Sequence, residues 1–93
     1  MSVVNRIKQA AASSIHQLYG NSVQPEQVLV NQTKPEFEGD YTVVLFAFVK
    51  ELKKSPEQLG QELGTEMVGR FPELFTSYNV VKGFLNLTID GAY

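Results

Sequence analysis

The sequence predicts an α+β fold, a small antiparallel sheet of about three strands with helices packed on one face, in the order αβααββ. Three observations carry that expectation. Apolar residues recur at helical spacing in stretches separated by turn residues. A helix-capping signature, Ser55-Pro56-Glu57-Gln58, stands mid-chain. Strict two-residue alternation then closes the sequence from Phe84 to Ile89.

Residues 3–19 read as an amphipathic helix, with Val4, Ile7, Ala11, Ile15 and Leu18 at three- and four-residue spacing. Ser2 is placed to cap its first turn and Gly20-Asn21 to stop it. A short strand, Gln27 to Asn31, follows Pro25 and is lost at Lys34-Pro35-Glu36. The segment Thr42 to Val49 is β-branched and aromatic, a strand by propensity. Against that, Asp40 stands where an N-cap belongs, and Leu45, Phe48, Val49 and Leu52 continue a helical stripe into Lys53-Lys54. These favour a helix beginning after Asp40.

Ser55 then opens another helix, with Leu59, Leu63, Met67 and Phe71 as its apolar stripe and Pro72 just past its end. Gly60, Gly64 and Gly69 inside it each cost about 1 kcal/mol relative to Ala. They indicate either close approach of another element or loose local order. Tyr78 to Val81, a Lys82-Gly83 turn and Phe84 to Ile89 complete a hairpin. Its last strand sends Leu85, Leu87 and Ile89 to one face and Phe84, Asn86 and Thr88 to the other.

Residues 1–93 amount to one domain, with 43% hydrophobic and 19% charged residues, an ordinary globular composition. With no cysteine, disulfides, thiolate nucleophiles and Cys-type metal sites are excluded. The N-terminus carries charges where a signal peptide needs an apolar run, and Val43 to Val49 is far shorter than the ~20 residues that span a bilayer. A cytoplasmic location and no membrane partner are expected. A net charge of −2 is too acidic for nucleic-acid binding driven by counterion release. Any RNA contact must therefore be local and shape-dependent.

No catalytic constellation is evident. His16 is the only histidine and has no acid or serine placed beside it in sequence. Glu36, Glu38 and Asp40 lack the ligand order of a calcium loop, and no Gly-rich phosphate loop follows a strand. No metal or catalytic residue is expected. Lys50, Lys53 and Lys54 gather at one helix end, where they complement the helix dipole or contact phosphate. Phe84 and Asn86, two residues apart on the face opposite the apolar one, can stack a splayed base and read its edge. The competing possibility is that Phe84 packs under a helix and Asn86 ends a ladder.

Phe37-Glu38-Gly39-Asp40-Tyr41, then Leu52-Lys53-Lys54, Ser55-Pro56-Glu57-Gln58-Leu59 and the closing Val80-Val81-Lys82-Gly83-Phe84-Leu85-Asn86-Leu87 resemble the N-terminal domain of arginyl-tRNA synthetase. The resemblance covers essentially the whole chain. It implies an appended domain that binds the D-loop at the outer corner of tRNA, with Phe84 and Asn86 meeting an exposed base. Many relatives carry Gly-Pro-Gly before the Phe, where this chain has Val81-Lys82-Gly83. Lys82 is expected to contact phosphate there. The family's two ATP-binding signatures do not occur in these residues. The resemblance therefore implies no cofactor here, ATP being handled by a catalytic domain beyond Asp90-Gly91-Ala92-Tyr93. It implies tRNA and that catalytic domain as partners, and no DNA. The alternative is a structural or protein-docking domain without RNA contact. The chain is expected to fold alone, with an exposed apolar patch around Val43 and Phe46.

Overall fold

Ile7, Ala10, Ala11, Ser14 and Ile15 recur at three- and four-residue spacing and are all buried, forming the seam of helix α1, Val3–Tyr19. These residues belong to a computed structural model that describes residues 3–20 and 23–90. The expected cap at Ser2, the stop at Asn21 and the tail 91–93 lie outside the described residues. Gly20 ends the helix with φ 75, its N–H bonded to the His16 carbonyl at 2.8 Å. The seam is turned slightly from the expected stripe, and Leu18 is exposed.

A short 3-10 turn, Pro25–Gln27, leads into strand β1, Leu29–Gln32. It takes up the first residues of the segment expected to be extended. Strand β2, Tyr41–Val44, corrects the expectation of a helix starting after Asp40. Helix α2 begins only at Phe46 and runs to Leu52. The β-branched run is claimed by neighbours that sequence order does not reveal: β2 lies between β1 and the last strand, bonded to both. Asp40 caps no helix. Its Oδ2 accepts from the Ile89 N–H at 2.8 Å, and its own N–H donates to the Leu87 carbonyl at 2.8 Å. The stripe from Leu45 to Leu52 is real, and Leu45 and Phe48 anchor it in the core.

Ser55 caps helix α3, Pro56–Arg70, its Oγ accepting from the Gln58 N–H at 3.2 Å. Leu59, Leu63 and Met67 are wholly buried. Strands β3, Phe75–Val81, and β4, Phe84–Ile89, close the chain as a hairpin. The sheet has order β1-β2-β4-β3 with every neighbouring pair antiparallel. The fold class is as expected, with β2 as a fourth strand.

The helices pack on one face of this sheet. Val43, Leu85 and Leu87 point into them and are wholly buried, so Val43 belongs to the core and not to an exposed patch. Gly60 and Gly64 are where α3 meets β3. A Cβ on Gly64 would stand 2.5 Å from the Tyr78 ring, and one on Gly60 2.7 Å from Val80. Close approach accounts for these two glycines, while Gly69 faces open space.

The opposite face carries two cross-strand rows, fixed by register and alternation. Leu29, Val44, Phe84 and Val81 form an apolar row, and Asn31, Thr42, Asn86 and Asn79 a polar one.

Candidate nucleic-acid interface on the open sheet face

The polar row is joined by one directed chain of hydrogen bonds. The Glu38 carbonyl can only accept, so the 2.8 Å contact from Asn79 fixes that amide with Nδ2 toward Glu38. Asn79 Oδ1 then accepts from Asn86 Nδ2 at 3.0 Å, which turns Asn86 Oδ1 toward Thr42. Thr42 donates its hydroxyl to Asn86 Oδ1 at 2.5 Å. Its one proton spent, Thr42 accepts from Thr33 Oγ1 at 3.0 Å. Both ends of this chain, Thr33 and Glu38, lie on the loop between β1 and β2 and hold it across the sheet. Gly39, at φ 128, brings the loop down so far that a Cβ would stand 3.2 Å from the Asn86 Cβ.

Between this loop and β4 lies a pocket of about 90 Å³, bordered by Asn31, Gln32, Lys34, Phe37, Thr42, Phe84 and Asn86. Its floor is polar and two of its walls are aromatic. Phe84 is half-buried, set edge-on to Phe46 with ring centroids 5.6 Å apart. Its aromatic partner is the first residue of α2, and Phe84 also borders the pocket. Asn86 borders the same pocket but is only 1% exposed, because the loop and its amide partners cover it.

Alternation thus placed Phe84 and Asn86 on one face, and the fold brings them to one pocket. It could not reveal that Asn86 is roofed over. Phe37 and Lys34 are missed by the sequence reading, since nothing local tells that the Lys34–Glu38 turn folds back over the sheet. Phe37 lies within the quoted family motif, the one signal that could have marked it.

Lys82 sits exposed in the hairpin turn and takes the left-handed backbone itself, φ 55. Gly83 is small for a different reason: the Phe46 ring lies against it and leaves no room for a side chain. Lys50, Lys53 and Lys54 do not border the pocket. Lys54 pairs with Glu62 at 3.4 Å and lies over the Tyr19 ring at 5.3 Å. Lys53 is exposed at the α2 C-cap with φ 55, and Lys50 is exposed one turn earlier. His16 is exposed on α1. Glu36 and Glu38 are exposed on the loop, and among the described residues no group of three or more His, Cys, Asp or Glu could hold a metal ion. No helix among them is long and apolar enough to cross a membrane.

Comparison with known proteins gives a consistent answer. The family model described as the arginyl tRNA synthetase N terminal domain matches residues 5–89. The chain is 46% identical over 89 residues to the arginine–tRNA ligase of Phocaeicola vulgatus, covering 96% of this chain and 15% of that protein. It is 41% identical over 92 residues to that of Bacteroides fragilis, covering 99% and 15%. In structure it matches Thermus thermophilus arginyl-tRNA synthetase with a TM-score of 0.79 at 29% identity, over 96% of this chain and 14% of that one. The chain spans about 15% of the length of the curated relatives it matches.

Proposed function

This chain belongs to the family of arginyl-tRNA synthetase N-terminal domains, and from that membership we propose that it binds tRNA at the D-loop through the pocket beside Phe84. An exposed base stacks on Phe84, with Asn86 and Thr42 beneath it. Lys82 in the turn contacts phosphate, and so do Lys50 on α2 and Lys53 at its C-cap. The domain steadies tRNA for ATP-dependent arginylation in the cytoplasm, performed by a catalytic domain that holds arginine and ATP; no cofactor belongs to the residues of this chain.

The observation that supports this reading is the pairing of an aromatic wall with a polar floor on the sheet face that the helices leave uncovered. Single-stranded RNA recognition requires such a pairing: a flat apolar surface for the ring and hydrogen-bonding groups for its edge. Lys34 at the rim adds a positive charge where the backbone of a splayed nucleotide would run.

The test is a titration of the 15N-labelled chain with an arginine tRNA transcript and with the same transcript lacking its D-arm. Amide shifts centred on β4, the Lys82-Gly83 turn and the 33–40 loop, extending to β1, β2 and the end of α2, and lost with the D-arm, are expected. Equal binding of both transcripts, or shifts confined to the helices, would overturn the reading.

A further inference from the structure

A base lodged against Phe84 needs a group to read its edge, and Asn86 has little left to give. One Nδ2 proton goes to Asn79, Oδ1 accepts from Thr42, and the side chain is closed off beneath the loop. Two amides of this pocket are unspent, Asn31 and Gln32, and Asn31 is the one that belongs to the polar row. It stands directly across the β1–β2 ladder from Thr42, so it shares the polar row. It borders the same pocket as Phe84. It is exposed, on an edge strand, and its side chain takes part in no hydrogen bond among the described residues.

Distance favours it as well. Phe84 on β4 and Asn31 on β1 flank β2 and are offset by two residues along it, a diagonal separation of roughly 12 Å at two strand spacings. A base that stacks on Phe84 above Val44 and Thr42 spans much of that gap, and the diagonal offset lets one of its edges meet Asn31. Gln32 also borders the pocket, but its row is that of Tyr41 and Leu87 on the helix side. An amide presents a donor and an acceptor side by side, so it distinguishes base edges that differ in that pattern.

We propose that Asn31 is a specificity-determining residue of this site, the side chain that reads the edge of the base while Asn86 holds the floor. The proposal rests on the tRNA reading given above.

It is tested on the 93-residue chain with a set of arginine tRNA transcripts in which each unpaired D-loop base is changed in turn. Binding is followed by amide chemical shifts. Wild type is expected to prefer one base at one position. Asn31→Ala, an exposed edge position where folding is readily verified from the same spectra, should keep most of the binding and shrink that preference roughly 3- to 10-fold, the effect of one lost hydrogen bond. Asn31→Asp keeps an acceptor and loses the donor, so it should shift the preference toward bases with a donor edge. Phe84→Ala should weaken all transcripts alike. If Phe84→Ala weakens binding while both Asn31 variants keep the wild-type preference, Asn31 is not the reader and the site stands. If wild type shows no preference, or Phe84→Ala binds as wild type does, the site and the role of Asn31 fall together.

Discussion

Asn86 shows how one side chain serves fold and site together. Its removal takes one bond from each of two buried or half-buried partners, the Thr42 hydroxyl and the Asn79 Oδ1, and breaks the chain that holds the loop down from both ends. Asn86→Ala should therefore destabilise the domain by about 1–3 kcal/mol in urea unfolding. A substitution read only as the loss of an RNA contact would leave the unfolding midpoint unchanged. Phe84 is different, since part of its side chain stays exposed at the pocket in the free chain. Phe84→Ala should weaken tRNA binding by ~1–3 kcal/mol, as expected for one stacked base, in the titration already described. Lys82 carries a positive φ, a penalty that Ala shares, so Lys82→Ala isolates the charge. It should weaken all tRNAs alike and reduce the slope of log affinity against log salt by about one. An unchanged slope would remove Lys82 from the phosphate contacts.

Among the elements, α3 is tied on one side to β3 and on another to α1, and each tie gives a measurable consequence. Gly64→Ala would drive a methyl into the Tyr78 ring, whose hydroxyl is also bonded to Gln61 and lies 2.9 Å from the Thr65 hydroxyl. A loss of ~1–3 kcal/mol is expected. Gly69→Ala meets nothing and should stabilise the helix by up to about 1 kcal/mol. Melting the two variants side by side distinguishes close packing from loose order. The tie to α1 runs through Tyr19, which donates to Glu62 Oε1 at 2.5 Å, with Gln58 and Lys54 on the same carboxylate. The Tyr19 hydrogen bond is the main reason the Glu62 carboxyl titrates below its ordinary value near 4.5. Burial, then the same bond, raises the Tyr19 hydroxyl well above 10. A depressed carboxyl contributes stability that is present above its unfolded value and is lost as pH falls through the folded one. Thermal unfolding followed from pH 6 down to pH 3 should thus fall less steeply for Glu62→Gln than for wild type. The effect is small, because the Glu62 side chain is about a third exposed and solvent screens the contact. Identical profiles would show that the contact is not linked to folding.

At the scale of the whole molecule, a net charge of −2 and one small contact surface set the expected strength of binding. The 93-residue chain should hold tRNA with a Kd of ~100 μM or above. Submicromolar binding at physiological salt would mean that a larger surface takes part. Phe46 and Leu29, each 56% exposed, prolong the apolar row beyond the pocket and are the natural place for such a surface. Most of the architecture was legible in the sequence because local periodicity and capping encode it directly. The α1 seam, the Ser55 cap, the α3 stripe and the alternation of β4 each depend on residues a few positions apart. The exchange of helix for strand at Tyr41–Val44 was not legible, because β2 takes its hydrogen bonds from β1 and from β4, some 40 residues away. The site divides in the same way. Sequence placed Phe84 and Asn86 on one face, since two-residue alternation is a property of any strand. Only the tertiary structure decided that a loop anchored at Thr33 and Glu38 would roof Asn86, add Phe37 and Lys34 to the pocket and leave Asn31 free on the polar row, because those contacts join segments that meet only when the sheet closes.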